Sequence, residues 1–228
     1  MVELWHGLVK AIELIVSLDP EVMQIAGRSL RLAATSAVLA SLICLPISSL
    51  IHFNRFPGKN FLISLIQTLY AVPTVAIGLF VFVFISRAGP LGSFGLLFTP
   101  GAIIIGQIIL ISPILLGLTI SALKGVDKAI TDTARSLGAS GLQTAVLVIK
   151  EARFAVMAAI IMGFGRALSE VGVSLMIGGN IRGFTRVITT AISLETSKGD
   201  IELSLALGII LIFLALLANI IMSRIQQR

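Results

Sequence analysis

Charge is what this sequence has least of. Asp, Glu, Lys and Arg make up 12% of its 228 residues, against about 25% in an ordinary soluble domain. With 57% hydrophobic residues and a mean hydropathy of +1.06, the chain reads neither as a soluble globular domain nor as a disordered one. Cysteine is nearly missing. Cys44 alone, inside an apolar run, excludes an intrachain disulfide and a cysteine-rich metal site. The two histidines, His6 and His52, stand far apart, so no metal site is expected. No Gly-x4-Gly-Lys-Ser/Thr occurs, which removes a Walker-type ATP site; Pro57-Gly58-Lys59 is followed by Asn60 and has no glycine five residues earlier. No Ser/His/Asp grouping and no paired carboxylates suggest catalysis. The chain is therefore expected not to be an enzyme by itself, with no catalytic residue and no cofactor. No basic cluster precedes a long apolar core at the N-terminus, so no cleavable signal peptide is expected.

What the chain has instead is long uncharged stretches. Residues 32–54, 60–86, 88–123 and 203–223 carry no Asp, Glu, Lys or Arg, and 154–177 is apolar except for Arg166 and Glu170. Each reaches the roughly 20 residues that cross a bilayer as a helix. Gly89-Pro90 and Thr99-Pro100-Gly101 break the longest run, so its span starts near Ala102. Runs this long exclude a barrel, which would show alternating segments of about ten residues. The expected fold is an all-α transmembrane bundle of five spans. Pro46, Pro73 and Pro113 each fall inside one of the first three spans and predict kinks. Ahead of them, Trp5, Leu8, Val9, Ile12, Ile15 and Val16 recur at helical spacing opposite Glu3, His6, Lys10 and Glu13. Residues 1–20 therefore read as an amphipathic surface helix, lying on the membrane or against the bundle, and 21–228 as the transmembrane domain.

The net charge of +6 lies mostly between the apolar runs, which points to lipid headgroups and membrane orientation rather than nucleic acid. Five spans put nine bases on the side of Arg55, Lys59, the 124–153 loop and the C-terminus, and seven on the other. That bias favours a cytoplasmic C-terminus. The 124–153 loop is the longest polar interval. It reads as two short helices, the first N-capped by Asp127, joined by a turn at Gly138-Ala139-Ser140-Gly141. Ile130, Ala134 and Leu137, then Leu142, Ala145, Val146 and Ile149, form apolar stripes that either fold back on the bundle or enter a partner's groove.

Asp132-Thr133-Ala134, three residues and Gly138 resemble the Glu-Ala-Ala-x3-Gly motif of permease subunits of ABC importers. Asp132 and Thr133 depart from it, and Lys150-Glu151 stands where the motif's later Leu-Pro would fall. The resemblance extends over Ala71–Gly78, Gly89–Gly92, Gly106–Leu110, Gly165–Gly172 and Gly178-Gly179-Asn180, which look like the oxyanion branch. Thr189–Ile192 and Leu194–Gly199 look most like tungstate permeases, whereas molybdate and sulfate permeases more often carry Gly-Glu-Phe-Gly in place of Ser169-Glu170-Val171-Gly172. The resemblance implies a five-span type I importer fold in the cell membrane. It also implies a homodimer above two ABC ATPase subunits, an external substrate-binding protein, and alternating access for tungstate, with molybdate or sulfate as alternatives. It makes Asp132, Thr133, Ala134, Arg135, Leu137, Gly138 and Ala139 the coupling segment that docks on the ATPase.

Arg166 and Glu170, four apart, share a helix face. A charge in hydrocarbon costs at least about 2.5 kcal/mol, so the pair must face the bundle interior or an aqueous cavity. It is either a structural ion pair or part of an anion route together with Pro73, Thr74 and Ser169. Asn180, Arg182 and Arg186 belong either to a solvated basic loop or to a docking surface for the external protein. Two other readings remain: an ion-coupled secondary carrier, which predicts inverted repeats that are not evident here, and a non-transporting membrane scaffold.

Overall fold

The computed structural model describes residues 2–226, which form eleven α-helices and no strands. α1 (Val2–Val16) stops at the Leu18-Asp19 turn, where Asp19 N-caps α2 (Pro20–Phe53) by accepting from Val22 N–H at 2.9 Å. Pro20 at the first position needs no amide partner, so it starts the helix rather than ending one. α2 begins twelve residues before the charge-free run and continues through Pro46. At about 1.5 Å per residue it is about 50 Å long, more than the roughly 30 Å hydrocarbon thickness.

The second apolar run does not make one kinked helix. It forms α3 (Lys59–Thr68), a 3-10 turn at Leu69–Ala71, and α4 (Thr74–Ile85), with a 99° bend between the two. Pro73 is the cause. It forces Val72 into extended backbone (φ −64°, ψ 129°) and itself N-caps α4. Across the connector, Thr99 caps α5 (Pro100–Lys124), which continues through Pro113. Then come α6 (Lys128–Ser136) and α7 (Gly141–Glu151), followed by α8 (Arg153–Leu168) and α9 (Gly172–Gly178) with a 56° bend. α10 (Ile188–Lys198), unanticipated in the sequence, precedes α11 (Ile201–Gln226). Among the described residues, α2, α5 and α11 are individually long and apolar enough to cross a membrane. The total reaches five if each bent pair counts as one crossing.

The centre is α2 against α5 and α8. Ala33, Ala37, Ala40 and Cys44 place small groups at every third or fourth position of α2, facing Ile111, Leu115 and Phe164. Small residues permit the close helix approach that drives packing in lipid. A second core joins α4, α5 and α9 through Val81, Ile85, Ala102, Val173 and Ile177. α1 lies against α11, but not on the face the periodicity suggests. Gly7, Ala11 and Leu14 are buried there, with Gly7 against the Leu205 side chain. Trp5, Val9, Ile12 and Val16 are exposed, so the apolar stripe points away from the bundle.

Candidate functional site

The two helix breaks meet at a buried polar junction. α8 ends with Arg166 in its last turn, and Glu170 lies in the gap before α9. The two are therefore not on one continuous helix, although the four-residue spacing still brings Arg166 Nη1 to 2.9 Å from Glu170 Oε2. The other carboxylate oxygen accepts from Val173 N–H at 3.0 Å, satisfying an open amide of α9's first turn. The Glu170 carbonyl accepts from the Thr189 hydroxyl of α10 at 2.8 Å. Glu170 is 2% exposed, and all its polar atoms are used. Arg166 differs. Its side chain is 35% exposed.

Gln107 crosses the same region. Its Oε1 accepts from Ser36 Oγ of α2 at 2.8 Å, and its Nε2 donates to the Ala167 carbonyl of α8 at 3.0 Å. Thr74, first residue of α4, stands on the opposite side. A β-carbon built on Gly172 would lie 2.9 Å from Thr74 Oγ1 and 3.4 Å from Glu170 Oε1. The structure thus brings Thr74, Arg166 and Glu170 to one place. Pro73 and Ser169 are exposed beside them, with Ser169 Oγ donating to the Arg166 carbonyl at 3.2 Å. Ser174 Oγ, on α9, is buried without a hydrogen-bond partner. Ser36 and Thr189 were missed as junction residues, since serine and threonine within an apolar run carry no signal of what they will meet.

The 179–187 segment is held to α2 rather than standing free. Arg182 grips Glu21 with Nε at 2.9 Å and Nη2 at 2.5 Å, and Arg186 Nη1 lies 3.6 Å from the same carboxylate. Arg28 donates to the carbonyls of Arg186 at 2.9 Å and Gly183 at 2.7 Å. The Glu21 hydrogen bond pushes the Arg182 guanidinium still further above its ordinary value. Asn180 takes a left-handed conformation (φ 50°) and donates to the Thr190 carbonyl at 3.3 Å. Arg182 remains 74% exposed, and a cleft of about 560 Å3 beside it is also lined by Glu21, Arg186, Glu195 and Lys198. Glu21 is the partner that sequence reasoning missed.

The third feature is the α6–α7 pair. Asp127 Oδ1 caps α6 by accepting from Ala129 N–H at 2.9 Å. Gly138 has φ 80°, a left-handed turn that favours glycine. Ser140 and Gln143 then form a capping box at the start of α7. The expected stripes are buried only in part, with Ile130 and Ala145 half-buried. On α6 only Ala134 is buried, and on α7 Thr144 and Val148 are, the latter packed with Leu123 and Ala152. Leu137 is 83% exposed and Leu142 78%, and Val146 and Ile149 are exposed as well. Asp132, Thr133, Arg135 and Gly138 are exposed beside them, with Ala139 half-buried. No cluster of potential metal ligands occurs among the described residues.

Broken apolar helices around a polar junction, with a two-helix loop at one end, define a multi-pass helical membrane protein. The chain belongs to the family described as binding-protein-dependent transport system inner membrane component, which matches residues 31–228. It is 41% identical over 90% of its length to a probable anion ABC transporter permease protein of Haloferax volcanii, covering 91% of that protein. It is 37% identical to the tungstate uptake system permease protein TupB of Peptoclostridium acidaminophilum, covering 97% of each chain. Its fold is similar to that of a chain from the inward-facing MetNI methionine ABC transporter, with a TM-score of 0.74 at 16% identity over 92% of this chain and 97% of that one.

Proposed function

We propose that this chain is the permease subunit of an ATP-driven importer for tungstate. A homodimer of it would sit above two ABC ATPase subunits and receive the anion from an external binding protein. The observation that carries the reading is the exposed apolar patch at Leu137, Leu142, Val146 and Ile149 on a well-capped two-helix loop. Capping fixes the shape of the loop, while nothing among the described residues covers the patch. Exposed apolar surface of this kind at the end of a membrane bundle suits docking into a soluble partner. Asp132, Thr133, Ala134, Arg135, Leu137, Gly138 and Ala139 would form the docking segment, placing the loop and the C-terminus on the cytoplasmic side. In this arrangement α1 (Val2–Val16) is a surface helix laid against α11 of the permease domain that follows.

ATP would close the ATPase dimer and draw the two loops together. The motion would reach the junction through α8, whose first turn follows α7 directly. Pro73, Thr74, Arg166, Ser169 and Glu170 would border the anion route. Arg166 and Ser169 offer exposed polar groups to a tetrahedral dianion, and Glu170 holds Arg166 in place. Asn180, Arg182 and Arg186 would meet the binding protein on the opposite face. Tungstate is the preferred anion because of the TupB relative.

The test is co-purification of the chain from its host membranes, with ATPase activity read on the complex. A Walker-containing subunit should accompany the wild type and be lost with Gly138→Glu, which puts a side chain at φ 80° in the middle of the patch. Tungstate-loaded binding protein should stimulate hydrolysis more than molybdate-loaded protein. A chain that purifies alone and carries anion in liposomes would refute the reading.

A further inference from the structure

Three span ends meet at one corner rich in cations. α2 ends at Phe53, α3 begins at Lys59 and α5 ends at Lys124. Lys59 Nζ donates to the carbonyls of His52 at 2.6 Å and Asn54 at 3.1 Å, folding the 54–58 turn back onto the end of α2. The three ends pack through Ile51 of α2, Ile63 and Ile66 of α3 and Ile120 of α5, and the charges of Lys124 and Arg55 act on Lys59. Asp127, the nearest acid in sequence, uses its carboxylate to cap α6. His52 Nδ1 is buried without a hydrogen-bond partner, and Arg55 and Lys124 are exposed. α3 opens here without a side-chain cap, so the positive end of its dipole adds to the same potential.

The rim of the corner is apolar. Leu50 is 63% exposed, Phe61 74%, and Phe53 and Phe56 are exposed too. Like charges held together repel, and a counter-anion relieves them. At the end of two spans that rim meets lipid, and a phospholipid supplies acyl chains for the rim and a phosphate for the cations at one place. We propose that Arg55, Lys59 and Lys124 bind the phosphate of an anionic phospholipid headgroup, with Phe53, Phe56 and Phe61 against its chains. The site is independent of which anion the chain transports.

The experiment is native mass spectrometry of the full chain released from nanodiscs of equal phosphatidylglycerol and phosphatidylcholine. The wild type should retain phosphatidylglycerol preferentially. Arg55→Gln/Lys124→Gln should lower that preference about 25-fold, since each base near an anionic surface contributes about a factor of five. Arg55→Gln alone, in an exposed turn, should lower it about fivefold and guards against misfolding of the double variant. Lys150→Gln/Arg224→Gln, which removes two bases at the same end of the bundle, should leave it unchanged. Equal retention by the wild type and the double variant would overturn the site. An equal loss in the Lys150/Arg224 control would overturn it too, showing diffuse charge only. Displacement of phosphatidylglycerol by millimolar inorganic phosphate would assign the pocket to a free anion instead of a lipid.

Discussion

Replacing Arg166 by methionine tests the junction most directly. The substitution keeps much of the side chain's length and apolar volume but removes the charge facing Glu170 at 2.9 Å. Glu170 is 2% exposed, so its carboxylate cannot turn to water. Breaking a buried pair by removing one partner costs about 3–5 kcal/mol. Two features lower that figure here. Arg166 is itself 35% exposed, so the pair is partly screened, and Glu170 keeps the Val173 amide at 3.0 Å. A loss of about 2–3 kcal/mol follows for Arg166→Met. Glu170→Gln should cost about 1 kcal/mol, because the amide oxygen can still cap Val173 and the freed guanidinium has access to solvent. The double variant should then be no worse than Arg166→Met alone, giving a coupling of about 1–2 kcal/mol. Unfolding in mixed micelles by SDS titration would read all four corners of the cycle. Additive single effects, or a Glu170→Gln more harmful than Arg166→Met, would refute the assignment of Glu170 as the buried, dependent partner.

Three further outcomes follow from the packing. Gly106→Ala should destabilise by about 1–3 kcal/mol, because its β-carbon would come within 2.4 Å of Val173 Cγ1 and 2.6 Å of Ile177 Cδ1; a thermal midpoint in detergent equal to wild type would contradict this. Gln107→Leu removes the bonds to Ser36 and Ala167, and two interhelical bonds at about 0.6 kcal/mol each put the loss near 1 kcal/mol in the same unfolding assay. Glu21→Gln should loosen the 179–187 segment by weakening both arginine contacts. Amide exchange across that segment should rise severalfold while the α6–α7 loop stays as in wild type.

The sequence made the helices legible because charge in lipid is costly, and the gaps between charges outline the spans. Asp127 and the Gly138 turn were readable too, since capping and left-handed backbone demand particular residue types. The breaks were not readable. Pro46, Pro73 and Pro113 look alike in sequence, yet only Pro73 separates two helices. Near Pro113, Cys44 and Ser48 of α2 donate to the Ser112 and Leu116 carbonyls, contacts with a neighbouring helix that periodicity does not reveal. The Arg166–Glu170 contact followed from spacing. The burial of one partner and half-exposure of the other depended on α9 and α10, which apolar runs do not outline. Glu21 and Arg182 meet across 161 residues, and no local pattern connects them.

The two bent pairs are joined to each other. α4 and α9, the short arms beyond the 99° and 56° bends, share one apolar core through Val81, Ile85, Val173 and Ile177. An unbroken helix resists bending along its whole hydrogen-bond ladder, whereas a break confines the change to a few backbone torsions. The arms therefore form a single lever on two pivots, one at Val72-Pro73 and one at Ser169–Val171. A push arriving along α8 would swing both arms through the same arc, and neither pivot could turn far without the other.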